Sequence, residues 1–148
     1  MKEDNIEFKL IELETSRLRL RKLVLADAAQ LVLLRSDERV NRYLDRPVAT
    51  SHAEAVGFVN RILAANAYYW AINLKDETVL IGTVCLYSQD YDNSAVEIGF
   101  ELLPEFHGKG IMMEALSAVI AYNSDHLKFD TIIGTVHIEN ISSIRLLE

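Results

Sequence analysis

A chain of 148 residues, half of them apolar and a quarter charged, suits one globular domain with a sizeable core. Its formal net charge of −7 excludes the broad basic footprint that nucleic acid or an anionic membrane surface recruits, and points to small molecules or basic peptides as partners. The one cysteine, Cys85, can form no internal disulfide and, inside an apolar run, reads as a buried structural thiol.

The opening Met1-Lys2-Glu3-Asp4-Asn5 is charged, and no apolar run approaches the ~20 residues of a membrane span, so the cytoplasm is the expected setting. Without repeats or Pro/Gly/Ser-rich linkers, the expectation is a single domain over residues 1–148.

In chain order, Arg17-Leu18-Arg19-Leu20-Arg21 alternates with period two, which predicts a strand with buried leucines and arginines facing water. Asp27 is placed to cap a short helix that turns Ala28, Leu31, Val32 and Leu34 inward, and residues 37–44 predict a second brief helical piece before Pro47. Ser51-His52-Ala53-Glu54 is a capping-box sequence, so a helix should run from there to about Asn66 and bury Val56, Val59, Ile62 and Leu63.

Three strands should follow, over 68–74, 79–88 and 95–102, joined by the polar stretches Lys75-Asp76-Glu77 and 89–93 as an antiparallel meander. Tyr68, Tyr69 and Trp70 in the first of them read as core residues or as the wall of a substrate groove. After Pro104 and the two glycines, apolar positions recur at helical spacing through Ile111, Ala115, Val119 and Tyr122, predicting a helix to about His126. A strand over 131–137 should then lie parallel to the 95–102 strand, since a helix connects them. Asn140 to Glu148 reads as the start of a last helix.

The stretch Val96-Glu97-Ile98-Gly99-Phe100-Glu101-Leu102-Leu103-Pro104-Glu105-Phe106-His107-Gly108-Lys109-Gly110-Ile111-Met112-Met113-Glu114-Ala115-Leu116 joins strand, short loop and helix. The first turn of a helix has N–H groups without intrahelical partners and the positive end of its dipole, so a glycine-lined entry can hold a phosphate. Taken alone, Gly-Lys-Gly reads first as a tight turn. It lacks the longer glycine loop with Lys-Ser/Thr that an ATP-binding regulator would carry.

In combination, Glu97-Ile98-Gly99-Phe100-x-Leu102, Pro104, Gly108-Lys109-Gly110, Glu114-Ala115-Leu116 and Asn140-x-x-Ser143 resemble the GNAT acyltransferase superfamily, and within it the branch of the ribosomal-protein N-terminal acetyltransferases. Thr15-x-Arg17-Leu18-x-Leu20-Arg21 with Asp27, and Arg42-Tyr43-Leu44, resemble the opening of that branch. The resemblance implies an α/β (α+β) fold with a mixed, mostly antiparallel sheet flanked by helices, incomplete at the C-terminus, where family members continue with two more strands. It also implies self-association, as a homodimer, if those strands are missing.

The chemistry implied is acetyl transfer from acetyl-CoA to a primary amine, a protein or peptide N-terminal α-amine or a small amine, with no metal. The alternative is a module that binds acyl-CoA without turnover, or an inactive fragment. By the resemblance, the backbone of His107, Gly108, Lys109, Gly110, Ile111 and Met112 binds the pyrophosphate, and main-chain groups at Leu102 and Leu103 pair with the pantetheine amides. Ser143, in Asn140-x-x-Ser143, matches the branch in which a serine is the proton donor, whereas many superfamily members place a tyrosine seven residues after the asparagine, where Leu147 stands here and cannot donate. Asn140 would hold the cofactor or its water, and Glu97 is the candidate base. Glu101 shares strand parity with Glu97, so periodicity alone does not choose between them. His137 is a minor candidate for the same role.

Overall fold

The computed structural model describes residues 9–37 and 51–134. Within them the elements are β1 (Leu13–Glu14), β2 (Leu18–Lys22), a 3₁₀ turn (Leu25–Asp27), α1 (Ala28–Ser36), α2 (His52–Ala64), β3 (Tyr68–Leu74), β4 (Gly82–Asp90), β5 (Ala95–Leu102), a 3₁₀ turn (Pro104–Phe106), α3 (Ile111–Tyr122), a π-helical turn (Asn123–Leu127) and β6 (Thr131–Gly134). The six strands form one sheet in the order β1-β2-β3-β4-β5-β6. All neighbours are antiparallel except β5 and β6. The parallel pair follows from α3, which carries the chain back so that β6 runs beside β5 in the same direction.

The sheet buries both faces, and strand alternation assigns each residue to one of them. On one face Leu18, Leu20, Trp70, Ile72, Val84, Val96 and Ile98 pack against Ile111, Met112, Ala115, Leu116, Val119 and Tyr122 of α3. On the other, Tyr69, Ala71 and Leu80 meet Ala28, Leu31 and Leu34 of α1 and Ala55 and Val59 of α2. The helix over 52–64 starts at the predicted N-cap: Glu54 N–H donates to Ser51 Oγ, and Glu54 Oε1 accepts from the Ser51 hydroxyl, where a full capping box would have it accept from the Ser51 backbone N–H. Trp70 is core, fully buried and stacked edge-on against Tyr122, with its indole N–H donating to Ile11 C=O at 2.8 Å. The groove reading of Trp70 is thereby corrected.

Several boundaries and roles differ from the sequence reading. The 79–88 strand begins instead at Gly82 and continues to Asp90, because Val79 to Ile81 belong to the loop leading out of β3. The helix predicted to reach His126 ends at Tyr122 and loosens into the π-helical turn, which closes at Lys128 with φ +61°. Asp27 does not cap α1 through its side chain; both its carboxylate oxygens are taken by the Arg21 guanidinium, at 2.8 and 2.9 Å.

Arg21 correspondingly does not face water. Its side chain is 14% exposed and Asp27 is 5% exposed, and buried Asn73 accepts from Arg21 Nε at 2.7 Å. A guanidinium leaves water only where every face of it finds an acceptor, and here Asp27, Asn73 and the carbonyls of Lys22 and Thr78 supply them. Residues 42–44 and most of the 37–44 piece lie outside the described residues.

Candidate active site

Gly108 and Gly110 both adopt the left-handed backbone region, at φ +74° and +75°, which a residue with Cβ enters only at a cost. A Cβ at Gly108 would meet nothing within 4 Å, so that side of the turn is open. Gly110 is the N-cap of α3 and contributes no side-chain cap; the first helical bond runs from Glu114 N–H to Gly110 C=O. The backbone N–H groups from Gly108 to Met113 consequently find no acceptor among the described residues. Gly108, Lys109, Gly110 and Met113 are exposed, whereas Ile111 and Met112 are buried in the core. The exposed N–H groups of Gly108, Lys109 and Gly110, unpaired among the described residues and close to the positive end of a helix, suit an anion of phosphate type.

The strand leading to that turn offers a second set of groups. Leu103 N–H donates to Ile81 C=O on the β4 side, and Leu103 C=O accepts from Phe106 N–H, so both main-chain groups of Leu103 are engaged. Successive residues of a strand direct their backbone groups to opposite edges, so those of Leu102 and Phe100 face the edge along which β6 pairs with Ala95–Ile98. At that edge the ring of His107 turns back, its Nε2 lying 2.8 Å from Leu102 C=O. A carbonyl oxygen only accepts, which assigns the proton to Nε2. His107 thus meets the strand end with its side chain and the turn with its backbone. The sequence alone did not single out Phe100, because which edge a residue's backbone faces depends on the register with β4.

Glu97, Gly99 and Glu101 lie on the sheet face opposite α3, together with Cys85 and Tyr87 of β4. Glu97 is partly buried and stands directly across from Tyr87. The Tyr87 hydroxyl is held above its ordinary pKa by burial first and by the Glu97 charge second. Further along, Tyr69 is pushed up strongly by burial and then by the Glu101 charge. The two glutamates therefore occupy the same face in different surroundings: Glu97 beside a partly exposed phenol, Glu101 beside a buried one. Ser143, Asn140 and His137 lie outside the described residues.

One group at the site was quoted in the sequence motif without a role. Thr15 and Arg17 precede β2 in a tight turn, and both reach Glu114 in the first turn of α3. The Thr15 hydroxyl and Arg17 N–H donate to Glu114 Oε2, and Arg17 Nε donates to Oε1 at 2.8 Å. Arg17 Nη1 also donates to Lys109 C=O at 3.0 Å. The Glu114 carboxyl is held below its usual range, by the Thr15 hydroxyl first and the Arg17 contacts after it. Lys109 itself extends over the Phe106 ring, Nζ 5.8 Å from the centroid.

A glycine turn open on one side at a helix start, fed by a strand that no described strand pairs beyond Ile98 on its β6 side, can be compared with known proteins. The acetyltransferase (GNAT) domain family matches residues 17–148. The chain belongs to the GNAT acetyltransferase family. Similar proteins include the uncharacterized N-acetyltransferases p20 of Bacillus licheniformis, 34% identical over 91% of this chain and 78% of that protein, and YnaD of Bacillus subtilis, 30% identical over 93% and 80%. A GNAT-family acetyltransferase from Bacillus anthracis has a similar structure, with 26% identity and a TM-score of 0.83 over 93% of this chain and 80% of that one.

Two further structures share the fold. They are a ribosomal α-N-protein acetyltransferase in complex with coenzyme A (20% identity, TM-score 0.80, 92% and 80% covered) and the spermidine N-acetyltransferase of Vibrio cholerae with CoA and spermine (24%, 0.79, 90% and 79%). As a GNAT protein the chain is an acetyl-CoA-dependent N-acetyltransferase with acetyl-CoA as its cosubstrate. The described residues hold no cluster that could bind a metal, and no helix among them is long and apolar enough to cross a membrane.

Proposed function

We propose that this GNAT protein acetylates a protein or peptide N-terminal α-amine, or a small amine. In this reading the cosubstrate's pyrophosphate lies on the backbone of residues 108–112, the His107 N–H being taken by Pro104 C=O, and its pantetheine runs along the β6-side edge of β5 at Phe100 and Leu102, with Leu103 holding the strand end in place. The observation that carries it is the row of N–H groups from Gly108 to Met113 that are unpaired among the described residues, beside the open face of Gly108. Backbone donors and a helix dipole fit a pyrophosphate whatever the side chains at His107 and Met112.

The reaction follows from the groups at hand. Only a neutral amine attacks, so Glu97 takes the proton, directly or through a water, as nitrogen bonds to the thioester carbonyl carbon. The carbon–sulfur bond breaks, Ser143 gives its hydroxyl proton to the departing thiolate, and water returns a proton to the serine as Glu97 releases its own. Asn140 holds the cosubstrate near that serine. The acceptor class is supported by two neighbours of the same fold, the ribosomal α-N-protein acetyltransferase and the spermidine N-acetyltransferase; both acceptors are amines on cationic or peptide carriers, and the net charge of −7 suits either.

Thiol release measured against a panel of N-terminal peptides and polyamines tests the reading. Ser143→Ala should lower turnover by ~10² or more while leaving CoA affinity in place, and Ser142→Ala should change the rate little. Equal turnover by parent and Ser143→Ala, with chemistry rate-limiting, removes the donor role. Release of no thiol with any amine removes the enzyme reading.

A further inference from the structure

We infer that Arg17 and Glu114 form a positioning pair that sets the direction of the phosphate-binding N–H groups, an inference that rests on the cosubstrate placement above. The trans peptide is planar, so the C=O of Lys109 and the N–H of Gly110 point in opposite directions. Arg17 Nη1 holds that carbonyl at 3.0 Å, on the side of β2, and the Gly110 N–H is thereby aimed away from the protein body. The same contact takes the carbonyl that Met113 N–H would otherwise reach four residues on, and Met113 N–H stays unpaired among the described residues. One guanidinium thus fixes one donor and keeps another available.

Glu114 makes that hold directional. Its Oε1 accepts from Arg17 Nε while Oε2 accepts from the Thr15 hydroxyl and Arg17 N–H, so the guanidinium plane cannot rotate without breaking several charge-assisted bonds. The pair also settles an electrostatic conflict. A carboxylate in the first turn of α3 stabilises the helix but would repel a pyrophosphate bound at the same helix end, and the Arg17 charge at 2.8 Å neutralises it. Arg17 is 46% exposed, its Nη2 has no partner among the described residues, and Nη2 lies 3.6 Å from where a Gly110 Cβ would stand. A third donor therefore flanks the turn.

Arg17→Ala, Arg17→Lys, Glu114→Ala and the double variant Arg17→Ala/Glu114→Ala are titrated with CoA, and the active ones are assayed with acetyl-CoA and with S-acetylpantetheine, which lacks the pyrophosphate. Arg17→Ala should weaken CoA about tenfold or more, the scale of one lost hydrogen bond to a charged group. The loss should appear in KM for acetyl-CoA with kcat little changed, and KM for S-acetylpantetheine should not move. Arg17→Lys keeps the charge without the fork and should lose nearly as much. Removing Glu114 as well should recover part of the affinity, because the uncompensated carboxylate goes with it.

Equal losses on acetyl-CoA and S-acetylpantetheine would overturn the inference, as would full CoA affinity in folded Arg17→Ala. Should Arg17→Ala fail to melt cooperatively, Arg17→Lys carries the same comparison. Gly110→Val separates the two levels. If it too binds CoA as the parent does, the cosubstrate placement fails; if it loses CoA while Arg17→Ala does not, only the pair does.

Discussion

The two ends of one short strand hold two arginines with opposite fates. Arg21, at the β3 side of β2's far end, is sealed against Asp27 and Asn73 with all its donors engaged. Arg17, in the bend before the strand, is nearly half exposed and shares its fork between Glu114 and the Lys109 carbonyl. Both are arginine–carboxylate pairs at 2.8 Å, yet only burial makes such a pair indispensable to the fold. Once water is excluded, losing one partner strands a charge; where water remains, it takes the partner's place. The buried pair ties the start of α1 to the sheet, and the exposed one is free to serve a ligand.

The largest contrast should come from Arg21→Ala, which leaves Asp27 buried without its partner and should cost ~3–5 kcal/mol of stability. Urea unfolding checks this, and CoA affinity measured on the folded fraction should match the parent. An Arg21→Ala protein as stable as the parent would erase the distinction between the two ends. Next comes Gly110→Val, which forces a β-branched residue to φ +75° at a strain of ~1–3 kcal/mol. The turn should relax and CoA affinity fall about tenfold or more, read by calorimetry, with a much smaller change in unfolding than Arg21→Ala gives.

A smaller effect follows from the depressed Glu114 carboxyl. A group whose native pKa is lowered contributes stability that is present above its unfolded value and is lost as pH falls through the native one. Glu114→Gln should therefore be less stable than the parent at pH 7 by no more than ~1 kcal/mol, since solvent screens the pair, and the difference should close below about pH 4, the usual carboxylate range. A gap that persists in acid would mean the glutamate acts by shape alone. Smallest of all is Arg19→Ala. Arg19 sits midway between the two, 42% exposed and 3.8 Å from Glu14, and its removal should change unfolding by less than ~0.5 kcal/mol.

The alternation Arg17-Leu18-Arg19-Leu20-Arg21 made the buried leucines legible, because a strand must repeat every two residues and an apolar face must leave water. It made the three arginines look alike. What separates them is contact with residues far along the chain: Asn73 from β3 for Arg21, Glu114 from α3 for Arg17. The two-residue strand β1 and the tight turn into β2, where Thr15 N–H donates to Leu18 C=O, are too short to show any period, so nothing in the sequence signalled that Arg17 leaves the strand's regular face. The same limit hid Phe100, whose side chain is an ordinary strand position and whose backbone direction depends on where Leu103 meets Ile81.

By itself the sequence determined the GNAT family, the order of the described strands and helices apart from β1, the N-cap at Ser51 and the glycine turn before α3, since each rests on local spacing or on motif order along the chain. Only the tertiary structure decided that Asp27 closes a buried ion pair instead of a helix end, that the His107 ring turns onto Leu102, and that an arginine ahead of β2 holds the peptide that aims the Gly110 N–H. The physical reason is common to all three. A charged or polar side chain has several partners open to it along its own segment, and which of them it takes is settled by the donors and acceptors that distant segments bring within ~3 Å and by how much water the fold leaves beside them.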